Sequence, residues 1–325
     1  MKDHYGRKID YLRISVTDRC NLRCIYCMTP EGVKPITHKE ILSYEEIVRI
    51  AAIAVSLGVK KIRITGGEPL ARKNITHLIF SLCALKGIED ISLTTNGILL
   101  KKYADDLARA GLNRINISLD SLKQERYRDI TRGGVIEDVL KGIEKAEQAG
   151  LIPIKINMVP IKGYNIDEIE EFAKITLTKP YQIRFIEFMP IGFRELWSPD
   201  KYVPINEMKS IVEKIGALLP VKMKKSGPAE YFKFEGAPGV IGFINAISHR
   251  FCEECNRLRL TADGKLRPCL FSETEIDLKT PIRSGAPDSE IERLLRLSIE
   301  VKPEGHNLNC TKEFNALRTM SKIGG

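Results

Sequence analysis

Between residues 10 and 190, short β-rich runs alternate with helical patterns, and this alternation narrows the fold more than anything else in the chain. The strand signal falls near 11–17, 61–65, 91–95, 114–119, 153–159 and 182–188. Parallel strands need crossovers of a dozen or more residues, and the intervening helical stretches supply them. The first helix opens on a capping box, Ser43-x-x-Glu46, and carries Ile47, Ile50, Ala51, Ala54 and Leu57 on one face. Gly58 fits its C-terminal cap. Further helices are expected over about 72–86, 101–110, 137–149 and 166–177. Six strand–helix repeats predict an α/β fold, an incomplete (βα)6 TIM-like barrel.

One parity of each strand is polar. Arg13, Ser15 and Thr17 alternate with Leu12, Ile14 and Val16; Lys61, Arg63 and Thr65 alternate with Ile62 and Ile64. Ser92 and Thr94 alternate with Ile91 and Leu93, and Arg114, Asn116 and Ser118 with Ile115, Ile117 and Leu119. Lys155 and Asn157 alternate with Ile154 and Ile156. Successive side chains face opposite sides of a strand. The apolar parity packs under the helices, so the polar parity faces inward. Inward arginines and lysines are costly without anionic partners, and the pattern predicts a lumen that holds a charged ligand.

The alternation breaks from Met189 to Pro204, where Pro190, Gly192, Pro199 and Pro204 surround the only tryptophan, Trp197. This places a boundary between residues 1–190, the barrel, and residues 191–325, a C-terminal α+β extension. Over 325 residues, 43% hydrophobic and 29% charged is ordinary for a globular enzyme. The N-terminus is polar and no run approaches the roughly 18 apolar residues of a membrane span. No export and no membrane association are therefore expected, and the chain reads as cytoplasmic. The balance of 51 basic against 42 acidic side chains gives +9, which suits an anionic ligand. No basic tail or aromatic-interleaved basic run points to nucleic acid.

Six of the eight cysteines form two groups of three. In a cytosolic protein that usage suggests metal rather than disulfides. Cys83 stands apart in an apolar helical stretch and reads as a buried inert thiol. Cys20, Cys24 and Cys27 are spaced to turn three thiolates toward one centre. A cubane iron–sulfur cluster usually takes four cysteines, so three leave one iron open. Structural zinc with a fourth ligand from elsewhere is the alternative. The spacing, Tyr26 before the third cysteine and the Asp18-Arg19 lead-in resemble the radical S-adenosylmethionine (SAM) enzymes.

The second group is Cys252, Cys255 and Cys269, linked by an expected hairpin over 257–267 with its turn at Ala262-Asp263-Gly264. Spacing alone leaves both zinc, completed by Cys310 or His306, and a second cluster open. Arg257 and Arg259 leave the same face of a strand, and each offers a planar fork of donors suited to phosphate.

Four features carry a resemblance over nearly the whole chain: the first cysteine motif; the loop Ile64-Thr65-Gly66-Gly67-Glu68-Pro69; the second cysteine group with Asn256-Arg257-Leu258-Arg259; and the terminal Gly324-Gly325. Together they are similar to the radical SAM cyclases that act on GTP at the first step of molybdenum cofactor biosynthesis. The resemblance implies two [4Fe-4S] clusters, one on Cys20, Cys24 and Cys27 and one on Cys252, Cys255 and Cys269. It implies SAM contacts from Tyr26, Gly67, Ser118 and Met189. It implies GTP contacts from Arg13, Arg63, Thr94, Lys155, Arg257, Leu258 and Arg259, with Gly324 and Gly325 reaching the active site. The implied reaction takes the ribose C3′ hydrogen of GTP, joins C3′ to C8 and yields 3′,8-cyclo-7,8-dihydro-GTP. The implied partners are a reductant and, downstream, cyclic pyranopterin monophosphate synthase, and the resemblance also allows a homodimer. Two rivals stay open: another radical SAM enzyme acting on peptide or RNA, and a non-enzymatic zinc-ribbon protein that binds nucleic acid.

Overall fold

The computed structural model describes residues 1–191, 197–223, 227–248, 251–306 and 318–323. Its first half is β1 (Tyr11–Ser15), α1 (Tyr44–Ser56), β2 (Lys61–Thr65), α2 (Ile75–Cys83), β3 (Asp90–Thr95), α3 (Leu100–Arg109) and β4 (Arg114–Ser118). There follow α4 (Gln124–Thr131), α5 (Ile136–Gln148), β5 (Ile154–Met158), α6 (Ile169–Lys174) and β6 (Gln182–Ile186). α4 adds a helix that the sequence reading did not expect. Strands β1 to β6 are parallel neighbours in chain order.

The local signals explain the elements. Ser43 Oγ accepts the Glu46 N–H at 3.2 Å while Glu46 Oε2 accepts the Ser43 N–H at 2.7 Å, so the expected capping box closes α1 reciprocally. Gly58 leaves the helix at φ +99°, a conformation that a side chain disfavours, and its N–H bonds Val55 O at 2.9 Å. Along the strands Leu12, Ile14, Ile62, Ile64, Ile115, Ile117 and Ile183 are fully buried beneath the helices. Each such side chain contributes about 1.5–3 kcal/mol. A one-residue slip would exchange them for the arginines of the other parity, so burial fixes the register.

The remaining elements are α7 (Ile205–Glu213), β7 (Leu219–Val221), β8 (Ala229–Lys233), β9 (Val240–Ile244), β10 (Arg257–Leu260), β11 (Lys265–Arg267), β12 (Ile276–Asp277), α8 (Lys279–Arg283), α9 (Asp288–Glu300) and α10 (Met320–Ile323). β10 and β11 form the expected hairpin. β9 pairs parallel with β6, and β10 pairs parallel with β1. The six-stranded arc thus gains three strands at each edge from residues beyond 190, the innermost of each parallel to it, in a single twelve-stranded sheet ordered β12-β11-β10-β1-β2-β3-β4-β5-β6-β9-β8-β7. Among the described residues no helix is long and apolar enough to cross a membrane.

Candidate active site

The first cysteine loop leaves the C-terminal end of β1, where parallel barrels carry their chemistry. It is held from two sides. On one side the Gly67 N–H donates to Thr17 O at 2.7 Å and the Glu68 N–H to Arg19 O at 2.8 Å. Only glycine allows that approach, because a Cβ on Gly67 would stand 2.3 Å from Arg19 O. On the other side α4 braces the loop, with the Arg23 and Ile25 N–H groups donating to Thr131 O and Ile130 O at 3.0 and 2.9 Å. Glu68 is fully buried and accepts from Leu70 N, Thr95 Oγ1 and Asn96 N at 3.0, 2.7 and 2.7 Å. Burial lifts its carboxyl to about 7. Asn96 Nδ2 in turn reaches Cys20 Sγ at 3.8 Å, so the ends of β2 and β3 are tied to the first thiol.

Tyr26 turns inward, and its hydroxyl donates to Asp120 Oδ2 at 2.6 Å. Asp120 lies just past β4; its Oδ1 accepts the Val159 N–H at 2.9 Å, and burial raises its carboxyl to about 6. Burial also raises the three thiols, Cys27 to about 12. Metal binding must therefore displace their protons. The main chain of Ser321, in α10, hydrogen-bonds Cys27 and opposes part of that rise.

The second triplet stands at the other end of the strands, since Arg257 at the start of β10 pairs with Tyr11 at the start of β1. Cys252 and Cys255 bracket a single turn before β10, and Cys269 follows β11. Burial alone would raise the Cys255 thiol, but Lys302 and Arg257 outweigh it and hold it below the ordinary value. Both triplets line one open cavity of about 2260 Å³, solvent included. Among the described residues no three His, Cys, Asp or Glu converge on one point as a mononuclear ion requires. Zinc needs every thiolate about 2.3 Å from the same centre. Three thiols in each triplet are the donor set of an iron–sulfur cluster that keeps one iron open.

Strand register stacks the cations of the lumen in layers. Arg13 pairs with Arg259 on one side and Arg63 on the other, which puts three guanidinium groups side by side on neighbouring strands. Asn116 pairs with Lys155, and Asn157 with Arg184. Gly242 on β9 leaves room for Arg184, since a Cβ there would lie 3.0 Å from Arg184 Cγ. Arg114 has a carboxylate partner in Asp90. Arg63, Lys155, Arg184 and Arg257 have none among the described residues. Burial, then repulsion from Arg184, Arg114 and Arg63, drops Lys155 to about 6. Burial with neighbouring cations likewise lowers Arg13 and brings Arg259 to about 10. Thr94 Oγ1, Asn157 Oδ1 and Arg184 Nε are buried without a hydrogen-bond partner. Such groups are expensive unless a ligand satisfies them.

The residues present therefore fit two clusters, SAM and a polyanion. Of the site residues expected from sequence, Cys20, Cys24, Cys27, Cys252, Cys255 and Cys269 line the cavity, as do Tyr26, Gly67, Ser118 and Met189. Arg13, Arg63, Thr94, Lys155, Arg257 and Arg259 line it too. Leu258 does not: it lies on the opposite parity in the aliphatic core, 1% exposed, so only its main chain can meet a ligand. Gly324, Gly325 and Cys310 lie outside the described residues. Cys83, expected to be buried, is half-buried against Gly111 O. Sequence reasoning did not single out Tyr11, Arg184 or Asp120. Tyr11 and Arg184 share the inward parity of strands already recognised, which was the available signal.

Comparison with known proteins agrees with this geometry. Residues 14–175 match the family model of the radical SAM superfamily, and residues 181–308 match that of Molybdenum Cofactor Synthesis C. The GTP 3′,8-cyclase of Thermodesulfovibrio yellowstonii is 55% identical, and that of Alkaliphilus metalliredigens 50%, each over 100% of both chains. The crystal structure of Streptococcus suis SuiB bound to S-adenosylmethionine shares the fold at a TM-score of 0.63 and 17% identity, covering 83% of this chain and 63% of that one. Alike from end to end with these relatives, and carrying both thiol triplets on one cation-lined cavity, the chain belongs to the GTP 3′,8-cyclase family of radical SAM enzymes.

Proposed function

We propose that this chain converts GTP into 3′,8-cyclo-7,8-dihydro-GTP at the first step of molybdenum cofactor biosynthesis, using SAM and two [4Fe-4S] clusters. The observation that carries the reading is the shared cavity: both triplets line it, together with the cations of the inward strand faces. Bound at Cys20, Cys24 and Cys27, a cluster with SAM would supply the radical that takes the hydrogen from ribose C3′.

The chain's own residues do the rest. Gly67 gives a main-chain surface beside the first triplet for the polar end of SAM, and Tyr26, Ser118 and Met189 enclose the remainder. Arg13, Arg63 and Arg259 meet the triphosphate as one row of donors, with Arg257 and Lys155 beside it. Thr94 and the main chain at Leu258 are assigned to the same substrate. Cys252, Cys255 and Cys269 hold the second cluster at the guanine end. Fixing both ends of GTP brings the C3′–H bond into contact distance, and that proximity is the main catalytic contribution of the protein. Gly324 and Gly325 are assigned to the same cavity, because α10 already delivers Met320 and Ser321 to it.

The division at residue 190 is in this reading a division of labour, with SAM held by residues 1–190 and the substrate cluster by 191–325. The reading also includes a one-electron reductant, a cytoplasmic setting, a homodimer and hand-over of product to cyclic pyranopterin monophosphate synthase. Anaerobically reconstituted, reduced protein given SAM and GTP is expected to form 5′-deoxyadenosine and the cyclised nucleotide. Deoxyadenosine formed with peptide or tRNA but not with GTP would overturn the proposal.

A further inference from the structure

Lys302 lies just past α9 and is 3% exposed. Its ammonium points at the second triplet: Nζ is 3.5 Å from Cys255 Sγ, 2.9 Å from Arg257 O and 2.6 Å from Pro268 O. Three acceptors around one nitrogen occupy all three N–H bonds of an ammonium, whereas a neutral amine has only two. Cys255 bound to a cluster is a thiolate with no S–H to donate, so on that reading all three neighbours accept and the nitrogen serves them as an ammonium. The contacts also bridge the two segments that carry the triplet. Cys255 and Arg257 stand at the entry to β10, and Pro268 directly precedes Cys269.

The segment after Lys302 is fixed over the same turn. Arg7, paired with the buried Asp3, donates to Cys252 O at 2.8 Å, Glu304 O at 2.7 Å and Pro303 O at 2.7 Å. The lysine is thus held in place by its neighbours, and its charge cannot swing away from the thiol.

We propose that Lys302 is a positioning residue for the second cluster: it fixes the Cys255 sulfur and sets a positive charge beside it that raises the cluster's reduction potential. Reduction adds negative charge to the cluster, and an adjacent desolvated cation favours that state. The inference rests on the reading that Cys252, Cys255 and Cys269 hold a cluster.

The test uses a parent chain carrying Cys20→Ala, Cys24→Ala and Cys27→Ala, so that only the second cluster reports. Iron and sulfide per chain and an anaerobic redox titration followed by electron paramagnetic resonance are measured for the parent and for Lys302→Gln, Lys302→Met and Lys302→Arg. In the Gln and Met variants the oxidised-to-reduced ratio at the parent midpoint is expected to rise at least tenfold, which is about 59 mV for a one-electron couple. The Arg variant stays near the parent value. Iron retained only in the Arg variant also supports the proposal. An unchanged midpoint in Gln or Met variants that keep their iron overturns it, because bracing alone moves occupancy and not potential. Iron lost equally in all three variants overturns it as well. A parent chain that binds no iron removes instead the assignment on which the proposal rests.

Discussion

Lys155 allows the cost of a cationic lumen to be measured. Its side chain is 5% exposed on the inward face of β5, and burial with three nearby guanidinium groups leaves it at about 6. A triphosphate that enters the lumen offsets the repulsion and gives the buried ammonium an anionic partner, so the lysine regains its proton and its pKa rises on binding. The sign follows: binding takes up a proton, and affinity falls as pH climbs from about 6 toward the bound value. At pH 8, two units above the free value, reprotonation costs roughly 2.7 kcal/mol, about a hundredfold in Kd. Folding stability moves the other way: the unfolded chain holds the proton up to the ordinary lysine value, so the free protein gains stability as pH rises through this window. Lys155→Met removes the proton and both slopes. Anaerobic calorimetry of GTP binding to reconstituted protein, in buffers of different ionisation enthalpy at pH 8, is expected to show nearly one more proton taken up by the wild type than by the variant. Equal uptake, or a wild-type affinity as flat with pH as that of the variant, would refute the reasoning.

Two further outcomes follow from the contacts that hold the loops around the cavity. Gly67→Ala sets a methyl 2.3 Å from Arg19 O and forces the Gly66-Gly67 loop off the cysteine loop; at about 1–3 kcal/mol for overpacking, deoxyadenosine formation should fall roughly ten- to a hundredfold, checked by single-turnover chromatography. Arg318 bonds Asp263 at 2.9 Å and Glu275 at 2.7 Å, anchoring the segment that carries Met320 and Ser321 into the cavity. Arg318→Ala is expected to lower kcat about tenfold, with Tm within about 3 °C of the wild type by differential scanning fluorimetry.

The barrel and most of its lumen were legible because strand parity is a two-residue signal that survives without any tertiary knowledge. Arg13, Arg63, Thr94 and Lys155 could be placed inward from their neighbours alone. What parity cannot give is pairing between distant strands. That β10 lies against β1, setting Arg259 beside Arg13, depends on a hydrogen-bonded register between segments some 245 residues apart. Arg257 and Arg259 could be read as a phosphate fork but not as part of that row. Asp120 was invisible for another reason: its task is to hold Tyr26 across the cavity, and no local pattern marks a carboxylate for that. Lys302 likewise reads as one basic residue at a helix end until the fold brings Cys255 to it. Leu258 marks the limit of a residue-by-residue resemblance, since the fold turns its side chain into the core.

The most direct test of the account is isotope transfer. With GTP deuterated at C3′, SAM and reduced, reconstituted protein, the shared cavity predicts deuterium in the 5′-deoxyadenosine produced, as read by mass spectrometry. Deoxyadenosine released without the label would mean that the ribose does not face the SAM site, and the arrangement described would be contradicted.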